Sequence, residues 1–295
     1  MFDRIVIVDW SAASVPNKGK DSIWIGAHDG EPVNVATRAA AKAHLAQLID
    51  DAAGRGERIL LGFDFPFGYP AGFAARLGLD GTPWRAVWDE IARLIDDRDD
   101  NRNNRFWVGA ELNRRISNGR FPFWGCPVGF SHDFLGPHRN HDGDEPLREH
   151  RLIDQWMVGA QPCWKLAYTG SVGSQALTGI PIVRALRDEP CWATHARVWP
   201  FETGLRPPDD DARIVFAEVW PSWWKWKETR EPGEIADRAQ VRHVARVFAE
   251  RDRAGELVPW FTPPVPPDRV AEVLSEEAWT LGVVEPRRRV GRLAA

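Results

Sequence analysis

The order of apolar runs in residues 1–64 constrains the fold more than any other feature of this chain. RIVIVDW, DSIWIGAHDG and EPVNVAT follow one another as β-rich runs with turn residues between them, the pattern of an antiparallel meander. The period then changes. Residues 38–55 are Ala-rich with apolar positions at helical spacing, and Gly54 and Gly56 supply the stop. RILLGFD is apolar up to its Asp, as a strand buried on both faces should be. A helix between the third and fourth strands serves as a crossover, which lets the fourth strand lie parallel to the first. The expectation is an α/β fold: a mixed sheet of three antiparallel strands and further parallel strands, flanked by helices.

Three of the strand-like runs, RIVIVD, RILLGFD and RIVFAE, end in an acid: Asp9, Asp64 and Glu218. A carboxylate at the end of a buried strand is costly to desolvate without a partner. If the first and fourth strands are parallel neighbours, Asp9 and Asp64 stand side by side at the carboxyl edge of the sheet, where open α/β folds bind ligands. Two carboxylates held that close repel one another, and a divalent cation between them removes the conflict. Each acid also has a purely structural reading. Asp9 can cap its turn with help from Ser11 and Ser14, Asp64 can satisfy backbone N–H groups of a tight turn, and Glu218 can pair with an arginine such as Arg197.

Past residue 64, residues 82–97 form an amphipathic helix started by Thr82 and Pro83. Residues 98–150 read as an insertion, with one short helix in FWVGAELNRRIS and then an irregular stretch too aromatic for simple disorder. LREHRLIDQWM reads as helical. ARVWPFETG and ARIVFAEVWPS read as two strands, and GEIADRAQVRHVARVFAERD and PPDRVAEVLSEEAWTLGV as two helices before a loose basic tail. At 295 residues the length suits a single domain carrying an insertion.

Composition narrows the function classes. A net charge of −4 gives no global basic footprint for avid phosphate-backbone binding. Cys126, Cys163 and Cys191 are widely spaced and form no zinc or disulfide pattern. No run approaches membrane-spanning length and the start is no signal peptide, so a soluble cytoplasmic protein without membrane contact is expected. Sixteen Trp stand against two Tyr, and Trp220, Trp223, Trp224 and Trp226 crowd so closely behind Glu218 that they either pack inward or offer a surface on which a base or sugar stacks.

GSVGSQ, with Gly170, Ser171, Gly173 and Ser174, opens a helical run. Its backbone N–H groups are candidates for a phosphate site, with Lys165 close by, though a plain turn gives the same residues. HRNHDGDEPLREH holds His138, His141 and His150 without a recognisable ligand spacing, and His28 and His132 stand apart.

VIVDWSAAS, GFDFPFGYPAG and AEVWPS together resemble the three signatures of a domain-of-unknown-function family of predicted nucleases with a ribonuclease H-like fold. The resemblance covers most of the chain by motif order and is specific at those three points. Residues 98–149 depart from the simplest members, as does SEEAWTLG, where the family pattern is similar to Asp-Asp-Ala-x-Asp-Ala. The resemblance implies two-metal phosphodiester hydrolysis with Mg²⁺ or Mn²⁺ ions roughly 4 Å apart. Asp9 would then bridge the ions, Asp64 and Glu218 would each complete one side, and the fourth acid would be Glu277 (or its neighbour Glu276) or else Asp237. A nucleic acid or nucleotide is the implied substrate. The competing expectations are a phosphoryl-transfer ATPase or kinase-like protein, with GSVGSQ holding nucleotide phosphates, and a non-catalytic Trp-rich binding module.

Overall fold

The computed structural model describes residues 1–130, 132–139 and 146–286. Arg4–Asp9 forms β1, Ile23–Ala27 forms β2 and Val33–Val35 forms β3, each paired antiparallel with the one before. The Thr37 side chain then caps α1 (Arg38–Gly54) by accepting from the Ala40 N–H. Ala41, Leu45, Ile49 and Ala52 form the buried face of α1, which returns the chain so that β4 (Ile59–Phe63) lies parallel to β1. Helices α2 (Phe73–Arg76), α3 (Pro83–Leu94), α4 (Arg105–Ser117), α5 (Leu152–Trp156) and α6 (Val172–Arg187) follow.

The sheet is completed by β5 (Ala196–Val198) and β6 (Ile214–Glu218), and α7 (Ala236–Arg253) comes after it. The order is β3-β2-β1-β4-β6-β5, with β4, β5 and β6 parallel to β1 or to one another. This is a mixed six-stranded sheet flanked by helices. β5 and β6 pair in parallel, so residues 199–213 form a connection between them and not a hairpin turn.

Strand alternation divides the core between the two faces of the sheet. Val6, Val8, Leu61, Phe63 and Phe216 pack with Leu45, Trp88 and Ile180 of α1, α3 and α6. Ile5, Ile7, Leu60 and Val215 pack with Val241, Val244 and Phe248 of α7 and with Trp279. The close seat of α7 on the sheet requires glycine at position 26, because a Cβ there would lie 2.9 Å from the Val241 backbone. No helix among the described residues is long and apolar enough to cross a membrane.

One expectation changes, and the segment 98–150 gains detail. Within residues 98–150, Val108 and Leu112 of α4, together with Phe121, Phe123, Leu135 and Leu147, bury in the same core as the α1 face of the sheet. The described residues of the segment therefore pack with the body, with Phe123 against Tyr69, Phe73 and Trp164. The helix expected over residues 266–283 is broken: a 3₁₀ turn at Pro267–Arg269 and a short α-helical stretch at Val270–Glu272 lead into a π-helical turn at Val273–Glu277. The cause is long-range. The Glu276 carbonyl accepts from Tyr69 N–H, its carboxylate accepts from Gly72 and Ala74 N–H, and a Cβ at Gly68 would lie 2.2 Å from that same carbonyl. Backbone tied down in this way cannot also continue an i→i−4 ladder.

Candidate active site

Asp9 is the last residue of β1 and Asp64 the first beyond β4. With Val8 opposite Phe63, the two acids lie at adjacent strand ends. Asp64 N–H donates to the Val8 carbonyl at 3.2 Å, and where the ladder ends the Asp64 side chain takes over, with Trp10 N–H donating to its Oδ1 at 2.7 Å. The β1 end is pinned from the side as well. The Trp10 indole N–H donates to Thr178 Oγ1 and the Gln175 amide donates to the Trp10 carbonyl, both from α6.

The two carboxyl groups act directly on each other. Burial, with the charge and hydrogen bond of Asp64 added, pushes Asp9 well above the usual carboxylate range. Burial raises Asp64 to about 6, against the lowering effect of its bonds to Asp9 and the Trp10 N–H. The pair therefore favours holding a single proton, as closely spaced carboxyls do. Asp237, in the first turn of α7, raises both members through space. It accepts from Asp21 N–H at 2.8 Å, and burial lifts its own pKa.

A polar cavity of about 660 Å³ opens over Asp9. Asp21 and Asp237 line it on the acidic side, Lys20 and Arg105 supply cations, and Ser11, Ser171, Ser174 and Gln175 supply neutral polar groups. A second cavity of about 200 Å³ is lined by Asp64 with Phe65, Met157 and Trp220 and by the charged groups Arg151, Asp154 and Glu218, and Gly170 lines both cavities. The dyad thus sits between a polar chamber and a smaller, more apolar one.

Glu218 and Glu277 have other commitments. In register, Glu218 is opposite Phe63 and not Asp64. Residues paired across parallel strands point to one face, and a step of one residue reverses the face. Glu218 therefore belongs to the phase of Phe63 and Phe216, whereas Asp9 pairs with Trp24 on the α7 face and Asp64 follows the phase of Leu60. The Glu218 carboxylate is 4% exposed and takes four hydrogen bonds: two from Arg151 at 2.7 and 2.8 Å, one from Phe67 N–H and one from the Thr280 hydroxyl. Arg151 also binds Asp154 and the Glu277 carbonyl.

Glu277 is fully buried, accepts from Leu152 and Ala71 N–H, and lies 3.3 Å from Arg148. Glu218 and Glu277, expected as further ligands beside Asp9 and Asp64, both take part in an arginine-centred network that ties β6 to α5 and the C-terminal segment, and Glu218 also lines the smaller cavity with Asp64. The partner of Glu218 is Arg151, while Arg197 pairs with Asp211. Glu276 caps α2 through Gly72 and Ala74 N–H.

The Gly-Ser turn reaches the cavity, but three of its donors are already used. Gly170, Ser171 and Ser174 line the wall. Val172, Gly173 and Ser174 N–H donate to the carbonyls of Gly170, Lys165 and Ser171, so these three groups do not form a free phosphate cradle. Gly173 is required for packing, since a Cβ there would lie 2.2 Å from the Cys163 carbonyl. Among the crowded tryptophans, Trp223 and Trp226 are buried, Trp224 packs on Phe248 and Trp260, and Trp220 alone borders a cavity. His132 packs edge-on to Trp107, His28 accepts from Ile5 N–H, and His141 and residues 287–295 of the basic tail lie outside the described residues.

No family model, curated protein or solved structure matches this chain. The site rests on its own geometry.

The donor set of the dyad fits a hard divalent cation. It offers oxygen ligands only, and a cation would relieve both the burial and the mutual repulsion of the two acids. Among the described residues no group of three His, Cys, Asp or Glu side chains is placed to hold a metal ion. The protein would thus contribute Asp9 and Asp64 and leave other positions to water and substrate, an arrangement that Mg²⁺ accepts.

Sequence reasoning missed Arg105, Arg151 and Gln175. Arg105 alone had a signal: it begins a helix, where the dipole disfavours a cation, so its presence there calls for a specific task.

Proposed function

We propose that this chain is a metal-dependent phosphodiester hydrolase of nuclease type, built on a ribonuclease H-like arrangement of the sheet and using Mg²⁺ or Mn²⁺ held by Asp9 and Asp64. The observation that carries the reading is the dyad itself: two carboxyls at adjacent parallel strand ends, both raised in pKa, with Asp9 on a polar cavity and Asp64 on the smaller one beside it. The strand order supports it, with an antiparallel meander leading into β1 and β4 as parallel neighbours. The motif resemblance points the same way.

In this reading Asp9 and Asp64 bind the cation in their ionised forms, so binding releases the proton that the pair otherwise retains. The bound cation would supply activation of water and stabilisation of the leaving oxygen. Asp237 adds negative field from the first turn of α7. Gln175 and the Trp10 hydrogen bonds hold the β1 end still. The substrate is a nucleic acid or nucleotide. Glu218 and Glu277 serve by fixing the C-terminal segment against β6.

Calorimetric titration with Mn²⁺ and Mg²⁺, repeated on Asp9→Asn and paired with cleavage assays on RNA, DNA and nucleotides, tests the proposal. Saturable binding that Asp9→Asn weakens at least ~100-fold, with loss of cleavage, is expected. Absence of metal binding by the wild type would sink it. Binding without cleavage would favour a binding module, and ATP turnover would favour phosphoryl transfer.

A further inference from the structure

Arg105 stands in the cavity wall without a counter-charge. Its Nε donates to Ser174 Oγ at 3.0 Å, and its Nη1 donates to Ser14 Oγ and Asn103 Oδ1 at 2.8 Å each. All three acceptors are neutral. Nη2 donates to no group among the described residues, and no carboxylate among them forms an ion pair with this guanidinium. Asp97, which acts on it through space, is bound at both oxygens by Arg38. Arg38 itself adds a second positive charge nearby, and burial with that charge pushes Arg105 down to about 10, which leaves it a cation at neutral pH.

A partly buried cation with neutral partners only is unfavourable unless the site is meant to receive an anion. The guanidinium lies over the Phe106 ring at 4.4 Å, a contact that supplies no acceptor oxygen, and its fork, with Nη2 unpaired among the described residues, matches phosphate oxygens. The placement fits as well. From Arg105 the wall runs through Ser174 and Gln175 to the Trp10 carbonyl and so to Asp9, which puts the cation and the dyad on one cavity.

We propose that Arg105 is the phosphate-binding residue of this cavity, so that a phosphoryl group of the substrate lies between its guanidinium and the Asp9–Asp64 dyad. The position of the reacting bond rests on the hydrolase reading, but the anion site stands without it. The competing role for Arg105 is a strut that holds residues 11–21 through Ser14.

The test is titration of inorganic phosphate into the metal-free full chain, run on wild type, Arg105→Gln, Arg105→Lys and Ser14→Ala, with Mn²⁺ titrations and melting temperatures alongside. The wild type should bind phosphate, Arg105→Gln should weaken it roughly 10- to 100-fold, and Arg105→Lys should recover part of the loss. Ser14→Ala should stay within about twofold of wild type, and Mn²⁺ affinity should be unchanged in Arg105→Gln. Failure of the wild type to bind phosphate overturns the proposal, as does equal binding by Arg105→Gln or an equal loss in Ser14→Ala. Should Arg105→Gln fail to fold, Arg105→Lys decides: a phosphate affinity unchanged from wild type, with Mn²⁺ affinity also unchanged, refutes recognition by the fork. Loss of Mn²⁺ binding by the wild type would refute the hydrolase reading and leave the phosphate result standing on its own.

Discussion

At the carboxyl edge of one sheet, Glu218 carries an arginine, a backbone N–H and a hydroxyl, whereas Asp9 and Asp64 carry each other and the Trp10 N–H. The two clusters are built from the same residue types on neighbouring strands. Their difference is in neutralisation. A buried acid with a guanidinium and a full set of donors is a structural tie, and a cation brought to it would have to displace Arg151. An acid whose main partner is another acid holds a raised pKa and an unmet demand for positive charge, and the proposed function rests on that difference. The contrast also explains why the C-terminal segment breaks its helix: Glu276 and Glu277 are spent on backbone donors of residues 71–74 and 152.

The largest way to test this contrast is Arg151→Leu. It strands Glu218 and Asp154 without their shared cation, and urea denaturation should show a loss of about 3–5 kcal/mol. A loss below ~1 kcal/mol would mean that the network is not what holds β6. Glu218→Gln keeps the shape but removes the charge, so a loss of roughly 2 kcal/mol is expected, with Mn²⁺ affinity unchanged in the folded variant. Abolished Mn²⁺ binding in a folded Glu218→Gln protein would return Glu218 to the metal site and break the comparison.

The dyad should respond in the opposite sense. Asp64 has a folded pKa of about 6, above its ordinary 3.8, so its proton favours the folded state at low pH. That contribution is complete below about pH 4 and is lost as pH rises through about 6. In chelator-treated buffer at pH 8, Asp64→Asn should therefore stabilise the protein by roughly 2 kcal/mol, and the gain should shrink toward zero near pH 4. A gain that is flat across pH would refute the raised pKa. The smallest effect is expected at Asp237→Asn, where Mn²⁺ affinity should fall by less than about tenfold and stability should change by under ~1 kcal/mol, since the side chain is only partly buried. A loss as large as that of Asp9→Asn would make Asp237 a direct ligand.

Much of the strand pattern was readable because it is local. The meander, the Ala-rich crossover and the apolar run of β4 each carry their own periodicity, and together they place Asp9 beside Asp64. The partners of Glu218 were not legible for a specific reason. The RIVFAE motif shows that an acid ends a strand, but whether it aligns with Phe63 or with Asp64 depends on the register of β6 against β4, and one residue decides the face. Arg151 lies 67 residues from Glu218, in a segment that reads simply as a helix start. Likewise the Gly-Ser turn announces exposed N–H groups, yet the Lys165 carbonyl that takes the Gly173 donor is a tertiary partner.

The sequence by itself determined that acids end the central strands and that two of them become neighbours, because hydrophobic period and the crossover rule act along the chain. Only the tertiary structure decided which acids are neutralised, which face each one occupies, and that a lone guanidinium faces the dyad's cavity. Those outcomes depend on register and on pairs brought together from distant segments, and no local pattern encodes either.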